Sequence, residues 1–291
     1  MNPVLSLNIE NCLGNTGYYF DHADDHASDD AVLLIHGLTG TPAEMKPIAK
    51  RLEKQGFSVM CPALAGHCGS IASLKKSRWQ DWYNGIVMAF EALKAKHQRV
   101  YVAGLSMGAL MALLLAKEKG EQVSGLCLLS TTFFYDGWNI PHIRRKLLLP
   151  IVLNTPLKHF IYWNEKSPYG IKCERTRAMV HSVLEKRDAQ ATEKVGIFRT
   201  SALTILESNR LINAAKKVLH QVQSPTLIVH STEDDTASVN NAHYVAQRIA
   251  SQDVEKFFVD DTYHVLTLDK RRADVANRMV GFFKQCTTKY A

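Results

Sequence analysis

The stretch V-A-G-L-S-M-G at residues 102–108 decides how this sequence folds. Residues 99–105 form a short run that is rich in apolar and β-branched side chains, which predicts a buried strand. Residues 107–119 are apolar and followed by Gly120, which predicts a helix that ends there. Ser106 therefore lies on a sharp turn from strand to helix, and the glycines on both sides relieve the crowding around its backbone.

The same alternation of strand and helix extends outward in both directions. It predicts strands over 31–36, 57–61, 123–129, 226–230 and 254–259, and helices over 41–55, 79–96, 239–250 and 271–284. Alternating elements with short connections indicate the α/β class, with a mostly parallel, doubly wound sheet covered by helices on both faces.

The alternation stops for about ninety residues in the second half of the chain. We therefore predict a core formed by residues 1–131 and 222–291, and a mainly helical cap formed by the inserted residues 132–221. An insertion at the carboxyl end of a strand lies over the crevice where open α/β sheets bind ligands.

Composition and charge exclude several other classes of protein. Of the 291 residues 46% are hydrophobic and 22% charged, which is typical of a globular protein and not of a disordered one. No apolar run approaches the ~18 residues of a membrane span, and no secretion signal precedes the core, so we expect a cytoplasmic protein. The six cysteines are scattered and are expected to be free thiols.

The net charge of +7 is concentrated in one part of the predicted cap. Residues 137–177 contain eight Lys or Arg side chains against two Glu, which gives this window a net charge of +6. Basic and apolar residues alternate over 144–163. They form either a lid, whose apolar face lines an acyl-chain tunnel and whose basic face meets anionic lipid headgroups or an anionic leaving group, or a packed cap helix with a solvated basic face. No nucleic-acid-binding motif accompanies these residues.

Ser106 needs a base and an orienting acid to act as a nucleophile. On this type of sheet the expected order along the chain is serine, acid, histidine. His264 follows the last predicted strand directly and is our candidate base. The acid is expected after the strand 226–230, where Asp234 is our choice and Asp235 and Glu233 are the alternatives.

Two backbone amides are candidates for stabilising an oxyanion. One belongs to Met107, directly after the serine, and the other to Leu38 in the H-G-L-T-G loop at residues 36–40. Their side chains are also candidates for lining an apolar substrate pocket. A tight turn without a catalytic role is the alternative for the loop. We identify no cofactor motif. We also predict no metal site, because we interpret the acidic cluster at residues 21–30 as an exposed turn.

Taken together, these motifs resemble the α/β-hydrolase superfamily, and more narrowly the bacterial carboxylesterases and monoacylglycerol lipases with a small helical cap. The resemblance rests on residues 36–40, 62–67, 79–82, 102–108 and 263–269 and covers roughly 30–131 and 222–286. It implies a Ser106–Asp234–His264 triad with Leu38 and Met107 as oxyanion donors. The chain departs from the usual Gly-His-Gly loop at Cys68.

The resemblance and the motifs lead to one main functional expectation and several rivals. We expect a cofactor-free serine hydrolase that cleaves carboxylic esters through an acyl-enzyme, acting on a small-molecule ester or a lipid-like substrate. The rivals are a monoacylglycerol lipase or lysophospholipase, an acyl thioesterase, and a binding protein of the same fold without catalysis. The sequence does not indicate an oligomeric state.

Overall fold

The computed structural model describes residues 8–22, 29–140, 147–186, 196–197 and 199–289. Its strands are β1 (Tyr18–Phe20), β2 (Asp30–Ile35), β3 (Ser58–Cys61), β4 (Arg99–Leu105), β5 (Val123–Leu129), β6 (Tyr162–Asn164), β7 (Arg199–Ser201), β8 (Thr226–Ser231) and β9 (Val254–Val259). Its helices are α1 (Ile9–Leu13), α2 (Pro42–Glu53), α3 (Ile71–Lys76), α4 (Trp79–Lys94), α5 (Met107–Lys119), α6 (Leu149–Asn154), α7 (Glu174–Lys186), α8 (Ala202–Val218), α9 (Asn240–Ala246) and α10 (Arg272–Lys289).

Seven strands form one sheet in the order β1-β3-β2-β4-β5-β8-β9. The edge strand β1 is antiparallel to β3, and all other neighbours in the sheet are parallel. The predicted mostly parallel, doubly wound sheet is confirmed. Because parallel strands end at the same edge, the loops that follow β2, β4, β8 and β9 meet there.

The hydrophobic core has one layer on each face of the sheet. Side chains that alternate along β2 enter opposite layers: Leu33 and Ile35 face α4 and α5, whereas Val32 and Leu34 face α2 and α10. All four are fully buried, as expected for strands covered on both sides.

Two helices differ from the sequence prediction. The loop predicted before α4 contains the short helix α3, which Ser70 caps by accepting from Ser73 N at 3.1 Å. Six residues are too few for an apolar period to reveal it. The helix predicted over 239–250 ends at Ala246, because the amides of Arg248 and Ile249 both turn back to the carbonyl of Val245.

Residues 132–221 lie between β5 and β8. Their described part contains helices α6 to α8, and also the antiparallel pair β6–β7, which the mainly helical prediction did not include. Val152 and Leu153 of α6 are buried against Ala202 of α8. The division into core and cap stays a prediction.

Several sequence interpretations concern residues outside the described ranges. These are the basic residues 144–146 and residues 23–28 of the acidic turn. Within the described ranges, no helix is long and apolar enough to cross a bilayer, and no cluster of His, Cys, Asp and Glu has the make-up of a metal site. The cytoplasmic location stays a prediction. No disulfide bond joins any of the six cysteines, all of which lie within the described ranges.

Candidate active site

The turn at Ser106 has the strained geometry that its sequence predicts. Ser106 has φ 56° and ψ −111° and immediately precedes α5. A Cβ atom at Gly104 would lie 2.2 Å from the carbonyl oxygen of Gly108, and one at Gly108 would lie 2.3 Å from that of Ile35. Both positions therefore require glycine, and the close packing of α5 against β2 and β4 fixes where the serine side chain lies.

Ser106, His264 and Asp234 form a continuous hydrogen-bonded chain. The Nε2 atom of His264 lies 2.9 Å from Ser106 Oγ, and its Nδ1 atom lies 2.8 Å from Asp234 Oδ2. The other carboxylate oxygen, Oδ1, accepts from the amides of Thr236 and Ala237 at 2.9 and 2.7 Å. The carboxylate is thus held by the loop after β8, so that one oxygen is left to orient the imidazole.

The two alternative acids lie elsewhere. Glu233 forms an ion pair with Lys172 at 2.5 Å and accepts from the amide of Asp261 at 2.8 Å. Asp235 is buried, and its carboxylate accepts from the hydroxyl of Thr236 at 3.4 Å. Of these three neighbouring carboxylates, the structure brings Asp234 to the imidazole of His264.

Charge in the site favours a charged pair of His264 and Asp234. Burial by itself lowers the pKa of His264, but Asp234, Asp235 and Glu44 raise it by more, so this pKa lies above its ordinary value. Burial would raise the pKa of Asp234, but the adjacent His264 and the amide of Ala237 lower it by more, so this pKa lies below its ordinary value. An imidazolium is therefore well stabilised here.

A second buried histidine, His230, supports the loop after β8 that carries Asp234. The sequence does not identify this histidine as a site residue. Its Nε2 atom donates to the carbonyl of Ala237 at 2.8 Å and lies 3.4 Å from Asp234 Oδ2. Burial lowers the pKa of His230, so the ring is neutral and orients the loop without adding charge. Its position inside the strand β8 makes it resemble a core residue in the sequence.

The candidate oxyanion donors lie on two sides of Ser106. The amide of Met107 opens α5 and therefore has no carbonyl partner within the helix. Leu38 lies in the loop after β2, where the amide of Gly37 donates to Glu44 Oε1 at 2.5 Å and the amide of Gly40 donates to Gly37 O at 3.3 Å. The loop is therefore braced on both sides of Leu38.

Two histidines also brace the neighbouring loops. His36 Nδ1 donates to Gly37 O at 3.0 Å and its Nε2 accepts from the amide of Leu64 at 3.2 Å. His67 Nδ1 lies 3.2 Å from Ala65 O. Burial lowers the pKa of His36 to about 4 and that of His67 to about 3, so both rings are neutral and unsuited to act as extra bases at neutral pH.

The side chains proposed for the substrate pocket differ in accessibility. Leu38 is partly exposed, whereas Met107 is 1% exposed and packs into the core. The predicted cap reaches the same loop: the hydroxyl of Thr39 donates to Glu165 Oε1 at 2.9 Å, and the amide of Ile197 donates to Thr39 O at 2.8 Å. Thr39 has φ 63°, a strained conformation that these contacts hold in place.

Comparison with known proteins gives a consistent family assignment. A family model described as serine aminopeptidase, S33 (Hydrolase_4) matches residues 26–271. The chain is 28% identical to a thermostable monoacylglycerol lipase of Bacillus sp. strain H-257, over 87% of this chain and 89% of the relative. It is 22% identical to a carboxylesterase of Bacillus subtilis strain 168, over 88% and 93% of the two chains.

The fold has close counterparts among solved structures. A structure from work on two metagenome-derived lipolytic enzymes, LipS and LipT, superposes with a TM-score of 0.77 at 23% identity. The match covers 94% of this chain and 99% of that one.

Proposed function

Because this chain belongs to the serine aminopeptidase S33 family, we propose that it is a serine hydrolase of carboxylic esters with Ser106, His264 and Asp234 as its triad. The observation that carries the proposal is the unbroken chain of hydrogen bonds from Ser106 Oγ through His264 to Asp234. A nucleophile, a base and an orienting acid in this order form the template for acyl transfer.

The proposed reaction has two similar halves. His264 Nε2 takes the proton of Ser106 as Oγ attacks the ester carbonyl, and the amides of Leu38 and Met107 hold the oxyanion. His264 then gives this proton to the departing alcohol. The acyl group stays bonded to Ser106 Oγ as the acyl-enzyme. Water hydrolyses the acyl-enzyme by the same route, and Asp234 orients and stabilises the imidazolium throughout.

Esters are favoured over peptides as the substrate class. The family description refers to a peptidase, but the two Bacillus relatives, which align with almost all of this chain, are described as a lipase and a carboxylesterase. Hydrolysis of an aminoacyl p-nitroanilide by this chain at rates equal to those of p-nitrophenyl esters would contradict this preference.

Acidic side chains around the triad favour an uncharged alcohol as leaving group. The carboxylates of Glu44, Glu165 and Asp235 all interact electrostatically with His264. Burial raises the pKa of Glu44 and of Glu165 to about 7, so these two carboxyls are fully charged only above that pH. In their ionised form the three carboxylates would repel a leaving group that carries phosphates, such as coenzyme A or a lysophospholipid headgroup. We therefore propose that a carboxylesterase or monoacylglycerol lipase activity exceeds any thioesterase or lysophospholipase activity.

The experiment that tests this function is hydrolysis of p-nitrophenyl esters across acyl lengths, with Ser106→Ala as control. Serine-dependent turnover that peaks at short chains indicates a carboxylesterase, and a peak at medium or long chains indicates a monoacylglycerol lipase-like enzyme. An acyl-coenzyme A of the best acyl length should be a poorer substrate than the matching monoacylglycerol. Absence of Ser106-dependent turnover of every ester would contradict the proposal and favour a non-catalytic binding protein.

The pH profile should reveal the raised pKa of His264. The imidazolium form cannot accept the serine proton, so kcat/KM should fall as the pH drops through a pKa above ~6.5, the ordinary value of histidine. Burial raises the pKa of Glu44 to about 7, so this carboxyl is partly ionised in the pH range where His264 titrates. Glu44→Gln removes this partial negative charge, which favours the imidazolium, and keeps an oxygen for the amide of Gly37. We expect this variant to move the acid limb to lower pH.

A matched control for this shift is available on the same helix. Glu53 lies at the other end of α2, about 13 Å further along the helix axis, so Glu53→Gln should leave the acid limb in place. An unchanged acid limb in Glu44→Gln, or an equal shift in both variants, would contradict the electrostatic explanation.

We also propose that residues 132–221 form a cap that makes transient contact with anionic membrane surfaces. The cap exposes several large apolar side chains next to one another in the sequence, namely Leu147, Leu148, Ile151, Leu157 and Phe160. Lys75, Lys76 and Arg199 line a groove beside Tyr162, two residues after Phe160. Exposed apolar side chains flanked by cations are suited to the headgroup region of an anionic bilayer.

Vesicle sedimentation tests this contact. Phe160 is 77% exposed, so Phe160→Asp should leave the fold intact and weaken binding to vesicles that contain anionic lipid. Equal binding of the wild-type chain to anionic and neutral vesicles would contradict the proposed role of the basic groove.

A further inference from the structure

The end of β5 and the residues directly after it connect the proposed nucleophile to the proposed base. The carbonyl of Leu129 accepts from the amide of Ser106 at 2.8 Å, and the hydroxyl of Ser130 donates to the carbonyl of His264 at 2.8 Å. The hydroxyl of Thr132 lies 3.0 Å from Ser106 Oγ. Leu129, Ser130 and Thr132 therefore contact the two loops that carry the reacting groups.

The backbone of this segment is strained. Ser130 has φ 44° although it is not glycine, and its side chain is fully buried. Strained residues persist where the surrounding contacts hold them, and they cluster at functional sites. Here the hydroxyl of Ser130 donates to the carbonyl of His264, and the backbone amide and carbonyl of Ser130 both form hydrogen bonds of their own.

Thr132 gives Ser106 Oγ a second hydrogen-bonding partner besides His264. The side chain of Thr132 is 1% exposed, and its hydroxyl also lies 3.1 Å from the carbonyl of Ser130, to which it donates. A hydroxyl carries a single proton, so Thr132 can donate either to the carbonyl of Ser130 or to Ser106 Oγ. The choice depends on where the proton of Ser106 lies.

We propose that Thr132 is a positioning residue that holds the nucleophile and donates to Ser106 Oγ as its charge develops. While His264 is neutral, the Ser106 hydroxyl donates to His264 Nε2, and the Thr132 hydroxyl donates to the carbonyl of Ser130. When Ser106 passes its proton to His264 Nε2, the Thr132 hydroxyl rotates and donates to Oγ. This inference rests on the proposed serine hydrolase function.

The step is balanced in atoms and charge. The O–H bond of Ser106 breaks, its proton forms a bond to His264 Nε2, and the oxygen electron pair forms the bond to the acyl carbon. The π bond of the acyl carbonyl breaks at the same time, and its electron pair moves to the carbonyl oxygen, which becomes the oxyanion. Thr132 keeps its proton throughout and changes only its hydrogen-bond acceptor. Its contribution therefore appears in the acylation rate and not in substrate binding.

The test compares Thr132→Val with Thr131→Val. Thr131 is adjacent and fully buried, and its hydroxyl has no hydrogen-bond partner among the described residues, so it controls for the loss of a buried threonine hydroxyl at this place. We expect Thr132→Val to lower kcat about 10- to 100-fold, as for loss of a hydrogen bond to a charged group, with little change in KM. Thr131→Val should remain within about twofold of the wild type, because it removes no such bond.

A second pair of variants keeps the result interpretable. Thr132→Ser retains the hydroxyl and should restore most of kcat, whereas Thr132→Ala should resemble Thr132→Val. The rate at which an uncharged fluorophosphonate modifies Ser106 should follow the same order. Circular dichroism and melting temperature show that each variant is folded.

Three outcomes separate the two proposals. Equal kcat in Thr132→Val, Thr131→Val and the wild type would overturn the role of Thr132 and leave the hydrolase function intact. Failure of Thr132→Ser to recover kcat in a folded variant would also overturn it. Absence of ester turnover in the wild type, or turnover that persists in Ser106→Ala, would overturn the proposed function itself.

Discussion

Replacing Ser106 with alanine should reduce kcat/KM for the best ester on the order of 10⁶-fold and leave the fold intact. The substitution removes the one oxygen that lies 2.9 Å from His264 Nε2, so no acyl-enzyme forms. The proposed oxyanion donors, the amides of Leu38 and Met107, remain and should account for any residual rate. The measurement is steady-state hydrolysis with circular dichroism on the same sample.

A surface serine provides the control for this prediction. Ser182 lies exposed on α7 and donates to the carbonyl of Met179. Ser182→Ala should hydrolyse esters at the wild-type rate. A Ser106→Ala variant that keeps more than a tenth of the wild-type rate would contradict the mechanism.

Asp234→Asn should lower kcat about 10⁴-fold. The asparagine keeps the size of the side chain but removes the charge that stabilises the imidazolium and that fixes the Nδ1–H tautomer of His264. With the proton on the wrong ring nitrogen, Nε2 cannot accept from Ser106. The measurement is kcat at a pH well above the acid limb, where the wild-type histidine is neutral.

The adjacent carboxylate makes the matched comparison for Asp234. Asp235→Asn removes a buried negative charge in the same loop, but no hydrogen bond joins Asp235 to the imidazole of His264. We expect this variant to keep kcat within about tenfold and to move the acid limb to lower pH, because Asp235 also raises the pKa of His264. A larger loss in Asp235→Asn than in Asp234→Asn would assign the acid to Asp235.

The periodic elements could be predicted because they follow from local chemistry. The buried strands β2, β4 and β5 are short apolar runs bounded by turn residues, and such runs are recognisable without any long-range contact. The turn at Ser106 was predictable for the same reason, since two glycines and a strand-to-helix change lie within a few residues. The helix α3 was missed because six residues give too weak a pattern.

The order of residues along the chain does not decide which carboxylate is the candidate acid. Glu233, Asp234 and Asp235 are consecutive, and any of them could follow β8 at the right place. The folded loop separates them, because Lys172 and the amide of Asp261 hold Glu233, and the amides of Thr236 and Ala237 hold Asp234 beneath His264. These partners come partly from distant segments, so no local pattern contains them.

By itself, the sequence determined the doubly wound sheet, the strand-to-helix turn at Ser106 and the order of its candidate partners along the chain. Only the tertiary structure decided which carboxylate contacts His264. It also decided that Glu44 and Glu165 lie close enough to interact with His264, and that Thr132 contacts the proposed nucleophile. The physical reason is that secondary structure and turns depend on neighbours in the chain, whereas hydrogen bonds and charges in the site join residues up to 158 positions apart.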